Sequence, residues 1–89
     1  MIARIYVNLK RDVSDPQGNA VKGALESLAF KGVEKAHVGK YFVLELEDMK
    51  KDQAESLVRA MCQKLLTNPV IEDYSFVIDL EKKPNRRAS

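Results

Sequence analysis

Two hydrophobic periods take turns along this chain, and their order limits the fold more than any single residue does. Residues 2–10 alternate strictly, with Ile5, Val7 and Leu9 on one side and Arg4, Tyr6, Asn8 and Lys10 on the other, the period of a half-buried strand. From Asp15 the period lengthens. Asp15 is placed to cap a helix, and Pro16 falls in the first turn, where a missing N–H costs nothing. Val21, Ala24, Leu25, Leu28 and Ala29 form an expected buried stripe that Phe30-Lys31-Gly32 ends.

Residues 33–38 and 41–47 read as two more strands around a turn at Gly39-Lys40, the second with Phe42, Leu44 and Leu46 inward and Tyr41, Val43, Glu45 and Glu47 outward. Asp52, with Glu55 three residues on, has the spacing of a capping box. Ala54, Leu57, Val58, Met61, Cys62 and Leu65 then continue at helical spacing until Asn68 and Pro69 stop the helix. Tyr74, Phe76, Ile78 and Leu80 give a last strand its inward face. The order β-α-β-β-α-β, closed by two short right-handed crossovers, predicts an α+β, ferredoxin-like two-layer sandwich: a four-stranded antiparallel sheet with both helices on one face.

A chain of 89 residues makes one domain and buries only about 60–65% of the surface its unfolded form exposes. With one cysteine and no metal cluster in the pattern to supplement so thin a core, association with copies of itself or with partners is expected. The net charge of +2 misleads, because Lys82, Lys83, Arg86 and Arg87 crowd the last eight residues: 15 basic residues less these four leaves 11 against 13 acidic ones. The sequence thus divides into a near-neutral domain, residues 1–81, and a basic tail, residues 82–89, expected to be solvated and disordered. The domain offers no basic stripe for nucleic acid. No run of 18 apolar residues and no signal-peptide pattern is present, so no membrane role is expected. A lone Cys62 among helix apolar positions suits a reducing, cytoplasmic setting.

The residues do not spell out a catalytic apparatus. His37 is the one histidine, so a two-histidine metal site is excluded and the side chain reads as a surface or interface residue. Cys62 lacks the electropositive setting of a nucleophile. Glu45 and Glu47 share one side of their strand and read as a solvated or salt-bridged face rather than a carboxylate pair. At Asp15-Pro16-Gln17-Gly18 the carboxylate would occupy the helix N–H groups and repel phosphate. Gly18 and Gly23 inside a helix suggest the close approach of another backbone, from the same sheet or a neighbouring subunit.

What remains is surface. The sheet face away from the helices would carry Tyr6, Asn8, His37, Tyr41, Val43, Ser75 and Val77 among Arg4, Lys35 and Glu45, a mixture suited to a moderately wet protein interface or, more blandly, to an antiparallel sheet with one face in water. Lys40 is either a solvated turn lysine or one presented to a partner. Val70, Ile71 and Glu72 after the helix stop form a candidate contact loop. The interface set is accordingly Tyr6, Asn8, His37, Lys40, Tyr41, Val43, Val70, Ile71, Glu72 and Val77.

Several short strings then speak together: Val7-Asn8-Leu9-Lys10, Asp15-Pro16-Gln17-Gly18, Val33 with Val38-Gly39-Lys40, Met61-Cys62-Gln63-Lys64-Leu65-Leu66, and Asn68-Pro69-Val70-Ile71-Glu72-Asp73-Tyr74 running on through Ser75-Phe76. In this order and spacing they resemble the PurS family, the small subunit of phosphoribosylformylglycinamidine (FGAM) synthase, a glutamine-dependent ligase of purine biosynthesis. The extension at 82–89 departs from the family's usual end. The resemblance implies a noncatalytic bridge that binds no cofactor itself, in a complex that uses ATP and magnesium. A PurQ glutaminase releases ammonia, and a PurL synthetase uses ATP to activate the formamide oxygen that ammonia displaces. The small subunit would form a dimer, or dimers paired further, that holds the two enzymes together. Set aside the resemblance, and the runner-up is a regulatory module that binds a small molecule between ferredoxin-like subunits.

Overall fold

The computed structural model describes residues 1–80; the expected basic tail at 82–89 lies outside them. The elements follow as β1 (Ile2–Leu9), α1 (Pro16–Ser27), β2 (Lys40–Glu45), α2 (Lys51–Met61) and β3 (Glu72–Asp79), with a single π-helical turn, Cys62–Leu66, continuing α2. β1 lies at the centre of a three-stranded antiparallel sheet of order β2-β1-β3. The α+β, ferredoxin-like class stands.

The period of two in the first strand decides the layers. Ala3, Ile5 and Val7 are buried and meet Val58 and Cys62 of the second helix, with Phe42, Leu44, Tyr74, Phe76 and Ile78 packed around them. Arg59 lies over the Phe76 ring, 5.7 Å from its centroid, in the range of a cation–π contact. At Cys62 the helix takes one extra residue per turn, which rotates Leu65 away from the expected stripe to 81% exposure. Leu66 packs against the core in its place. The expected capping box is not formed. The helix starts at Lys51, with Lys50 at the cap position, so Asp52 sits inside the first turn, where it accepts the Gln53 N–H at 2.9 Å and complements the helix dipole.

Two further expectations are corrected. Residues 33–38 form no ladder, so among the described residues the sheet has three strands and not four. A two-residue hairpin at Gly39-Lys40 would need a positive φ at Gly39. Among the described glycines Gly32 has one and Gly39 does not, so the backbone runs straight on into β2. A Cβ at Gly39 would stand 2.6 Å from the Val7 carbonyl oxygen and 2.5 Å from Asn8 Oδ1, so the absent side chain lets the segment lie close against β1.

The second correction concerns the first helix. Its expected stripe is not buried: Val21 is 43% exposed and Leu28, just past the helix, 69%. No residue of α1 joins the core cluster, because none of the described surface of the chain is placed against that stripe. The helix is nonetheless well terminated. Phe30 N–H bonds to the Leu25 carbonyl and Ala29 N–H to that of Glu26, both at 3.0 Å, with Ala29 in the left-handed region at φ 68°. This is a Schellman closure with alanine where glycine is usual. It ends the helix ahead of the expected Phe30-Lys31-Gly32.

Candidate functional site

On the face of the sheet away from α2, the β-pairing lines up side chains in rows. Tyr41 stands beside Tyr6 and Tyr6 beside Ser75; Val43 beside Arg4 and Arg4 beside Val77; Asn8 beside Asp73. Tyr6 and Tyr41 stack with ring centroids 5.0 Å apart and planes 20° from parallel. Both rings remain half exposed, as do Val43 and Val77. Arg4 Nη1 donates to Asp79 Oδ2 at 2.7 Å, and that hydrogen bond fixes the guanidinium between the valines and holds its pKa above the ordinary arginine value. The result is an aromatic-aliphatic centre with a charged rim of Arg4, Glu45, Asp73 and Asp79, the composition of a protein-binding patch.

Five of the expected interface residues, Tyr6, Asn8, Tyr41, Val43 and Val77, share this surface. His37 does not, because the strand that would have carried it is not formed. It lies at the start of α1, three-quarters exposed, with Nδ1 3.7 Å from Asp15 Oδ2. Lys35 is likewise off the sheet. Asp15 is buried and accepts the Gly18 N–H at 2.8 Å and the Val38 N–H at 3.0 Å. The Gly18 hydrogen bond above all, then that of Val38, holds its carboxyl below the usual carboxylate range. Gly18 has the expected close neighbour, since a Cβ there would collide with the Ala36 carbonyl. Gly23 has open space within 4 Å.

Lys40, Val70, Ile71 and Glu72 gather at the far end of the sheet. Lys40 Nζ is 3.4 Å from Glu72 Oε2, across β1. Glu72 is no free contact group, for Oε1 accepts the Asn68 N–H at 2.8 Å. That bond, more than Lys40, lowers its pKa. Asn68 Oδ1 in turn accepts the Val70 N–H at 3.1 Å, and the Ile71 carbonyl accepts from Lys10 N–H at 2.8 Å. This pinned turn leaves Val70 and Ile71 projecting, at 78% and 37% exposure.

The remaining chemistry is poor in reactive groups. Cys62 is buried, which pushes its thiol pKa up and away from nucleophilic use. Among the described residues no group of three or more His, Cys, Asp and Glu is placed to hold a metal ion, and no helix is long and apolar enough to cross a membrane. Sequence reasoning missed the Arg4–Asp79 clasp, which needs the β1–β3 register. It also missed the exposed stripe of α1, whose apolar residues signalled burial without saying against what.

The chain is similar to known proteins over nearly the whole described length. The family model PurS, described as phosphoribosylformylglycinamidine (FGAM) synthase, matches residues 2–80. Phosphoribosylformylglycinamidine synthase subunit PurS of Archaeoglobus fulgidus is 46% identical, over 86% of this chain and 96% of the relative; that of Bacillus subtilis is 45% identical over 85% and 89%. Among solved structures, B. subtilis PurS superposes with a TM-score of 0.77 at 45% identity, covering 85% of this chain and 94% of the other. A chain in the structure of PurLQS from Thermotoga maritima gives 0.75 at 30% identity, covering 86% and 96%.

Proposed function

The chain belongs to the PurS family, subunits of FGAM synthase in purine biosynthesis, and we propose that it acts there as the noncatalytic bridge between a PurQ-type glutaminase and a PurL-type synthetase. The observation that carries this reading is the open sheet face, where the Tyr6–Tyr41 stack and two half-exposed valines form a binding patch on a chain too small to waste it. The solved PurLQS assembly of T. maritima, which holds a chain of this fold, supports the same partners.

The physical logic is one of containment. Ammonia released from glutamine is mostly protonated in neutral water, and ammonium is not a nucleophile. A docked assembly that keeps the two active sites close and shields the passage from bulk water preserves the reactive form. Such a bridge contributes surfaces and rigidity, while the large subunit holds ATP and magnesium. Its partners are the two enzymes and copies of itself, and its setting is the cytoplasm.

Reconstitution tests the proposal. Purified glutaminase and synthetase subunits are assayed for glutamine-dependent amidine formation with and without this chain, and the mass of each mixture is read by light scattering. Activity and a ternary mass that appear only on its addition support the bridge. Full activity without it, and no association, overturns the reading and favours a ligand-binding regulatory module.

A further inference from the structure

The open face is uneven in charge and in height. Within the described strands its one cation is Arg4, which is committed to Asp79 at 2.7 Å. Asp73 lies six residues back along β3 and is exposed, about 20 Å away at ~3.4 Å per residue. It forms no ion pair with a described residue, Lys10 in the loop after β1 included. Its neighbour across the strands, Asn8, leans the other way, with Oδ1 2.5 Å from where a Cβ of Gly39 would stand. The height falls at the same place. Tyr6 stands between Tyr41 and Ser75 in one row. One face of its ring is stacked on Tyr41, so the other looks over Ser75, a short, exposed side chain on an edge strand. The ring wall, the serine hydroxyl and the Asp73 carboxylate, two residues along the same side of β3, border one shelf.

We propose that this shelf receives an arginine side chain of the partner subunit that docks on the open face. A guanidinium lies flat against an aromatic ring, and its weak hydration lets it leave water for a half-apolar patch where an ammonium would stay wet. Its planar fork carries enough donors to serve the Asp73 carboxylate and the Ser75 hydroxyl at once. Arginine and tyrosine are also the residues that dominate binding energy near the centre of interfaces, and half-exposed Val43 and Val77 supply the apolar ground around them. An unpaired carboxylate on the shelf repels a partner that brings another, so the same three groups fix the register of docking. This arginine presupposes the docking proposed above and adds what the partner brings to it.

The test titrates the full chain into the glutaminase and synthetase subunits, with association read by light scattering and the dissociation constant by calorimetry at two salt concentrations. Asp73→Asn keeps the shape and removes the charge. Its dissociation constant is expected to rise about 10-fold, as for a lost hydrogen bond to a charged group, and to depend less steeply on salt. Ser75→Lys fills the shelf and gives Asp73 a cation of its own, for an expected rise of about 100-fold. Both positions are exposed on an edge strand, so the thermal midpoint of the isolated chain should hardly move. N-acetyl-arginine amide, added at matched ionic strength, should weaken association of the parent chain more than N-acetyl-lysine amide does, and the difference should vanish in Asp73→Asn. No association of the parent chain overturns the docking itself. Association that both variants leave unchanged overturns the arginine and leaves the docking standing. Equal effects of the two amides, or a difference that survives in Asp73→Asn, also overturn the arginine.

Discussion

Replacing Tyr6 with alanine separates what the open face does for the chain from what it does for an assembly. Within the chain the ring stacks on Tyr41 at 5.0 Å, a contact worth about 1 kcal/mol beyond its area, and the buried part of the side chain, roughly 120 Å², adds about 3 kcal/mol at ~25 cal/mol per Å², a loss that the isolated variant's own denaturation curve measures apart from any effect on assembly. In a complex that covers this face, the 41% of Tyr6 still exposed would be buried as well. Taking about 200 Å² for a tyrosine, that fraction is roughly 80 Å², or about 2 kcal/mol at ~25 cal/mol per Å². The dissociation constant for the partner subunits should therefore rise about 30-fold. Titrating the variant into glutaminase and synthetase, with amidine formation and mass followed together, reads both numbers. At saturating concentration full activity should return. An unchanged dissociation constant would refute the assignment of this face to partners. Lost activity in a complex of normal mass would refute the view that Tyr6 acts through docking.

Three further outcomes follow from local geometry. Ala29→Gly should stabilise the chain by about 0.5–1 kcal/mol, because glycine relieves the left-handed strain at φ 68° while giving back part of the gain as unfolded-chain entropy; thermal denaturation checks it. Asp15 has a folded-state pKa lowered chiefly by the Gly18 N–H. Its contribution is therefore present above the ordinary carboxylate pKa of about 3.9 and is lost as pH falls through the folded value. Denaturation midpoints taken from pH 6 downward should fall less steeply in Asp15→Asn than in the parent chain. Gly39→Ala should lower the thermal midpoint and loosen amide protection at the β1–β2 pairing near Val7, since the added Cβ meets the Val7 carbonyl at 2.6 Å; circular dichroism and hydrogen exchange read the two effects.

The strands that pack on their own chain were legible because alternation states both which face is inward and, through length, where a strand ends. The inward residues Ala3, Ile5 and Val7 of β1, Phe42 and Leu44 of β2 and Tyr74, Phe76 and Ile78 of β3 follow that rule, as does the buried side of the second helix at Ala54, Val58 and Cys62. Ile2, out of phase, is buried as well, and Leu80, expected inward, lies past the end of β3 at 70% exposure. The capping role of Asp15 was legible for a similar reason, since a carboxylate ahead of Pro16 has few other local uses. What failed was whatever depended on the identity of the opposing surface. Val21, Leu25 and Leu28 announce an apolar face equally well whether it meets the chain's own sheet or another's. Val33 and Val38 carry strand propensity, but the turn that would have paired them needed a φ at Gly39 that no residue name discloses. Of the candidate surface, Tyr6, Tyr41, Val43 and Val77 came from alternation alone, whereas His37 depended on the missing strand and left the group with it. The extra residue in the turn at Cys62 leaves no trace in apolar spacing, and it reversed the fates of Leu65 and Leu66.

The seclusion of Cys62 has a practical side. Its sulfur is wrapped by Val58 and the sheet, and burial raises its thiol pKa, so thiol-directed dyes and spin labels should pass the folded protein by. Any cysteine installed on the sheet face or along α1 would then be the one position that takes a probe, and the chain can be mapped site by site by labelling without first removing its native sulfur.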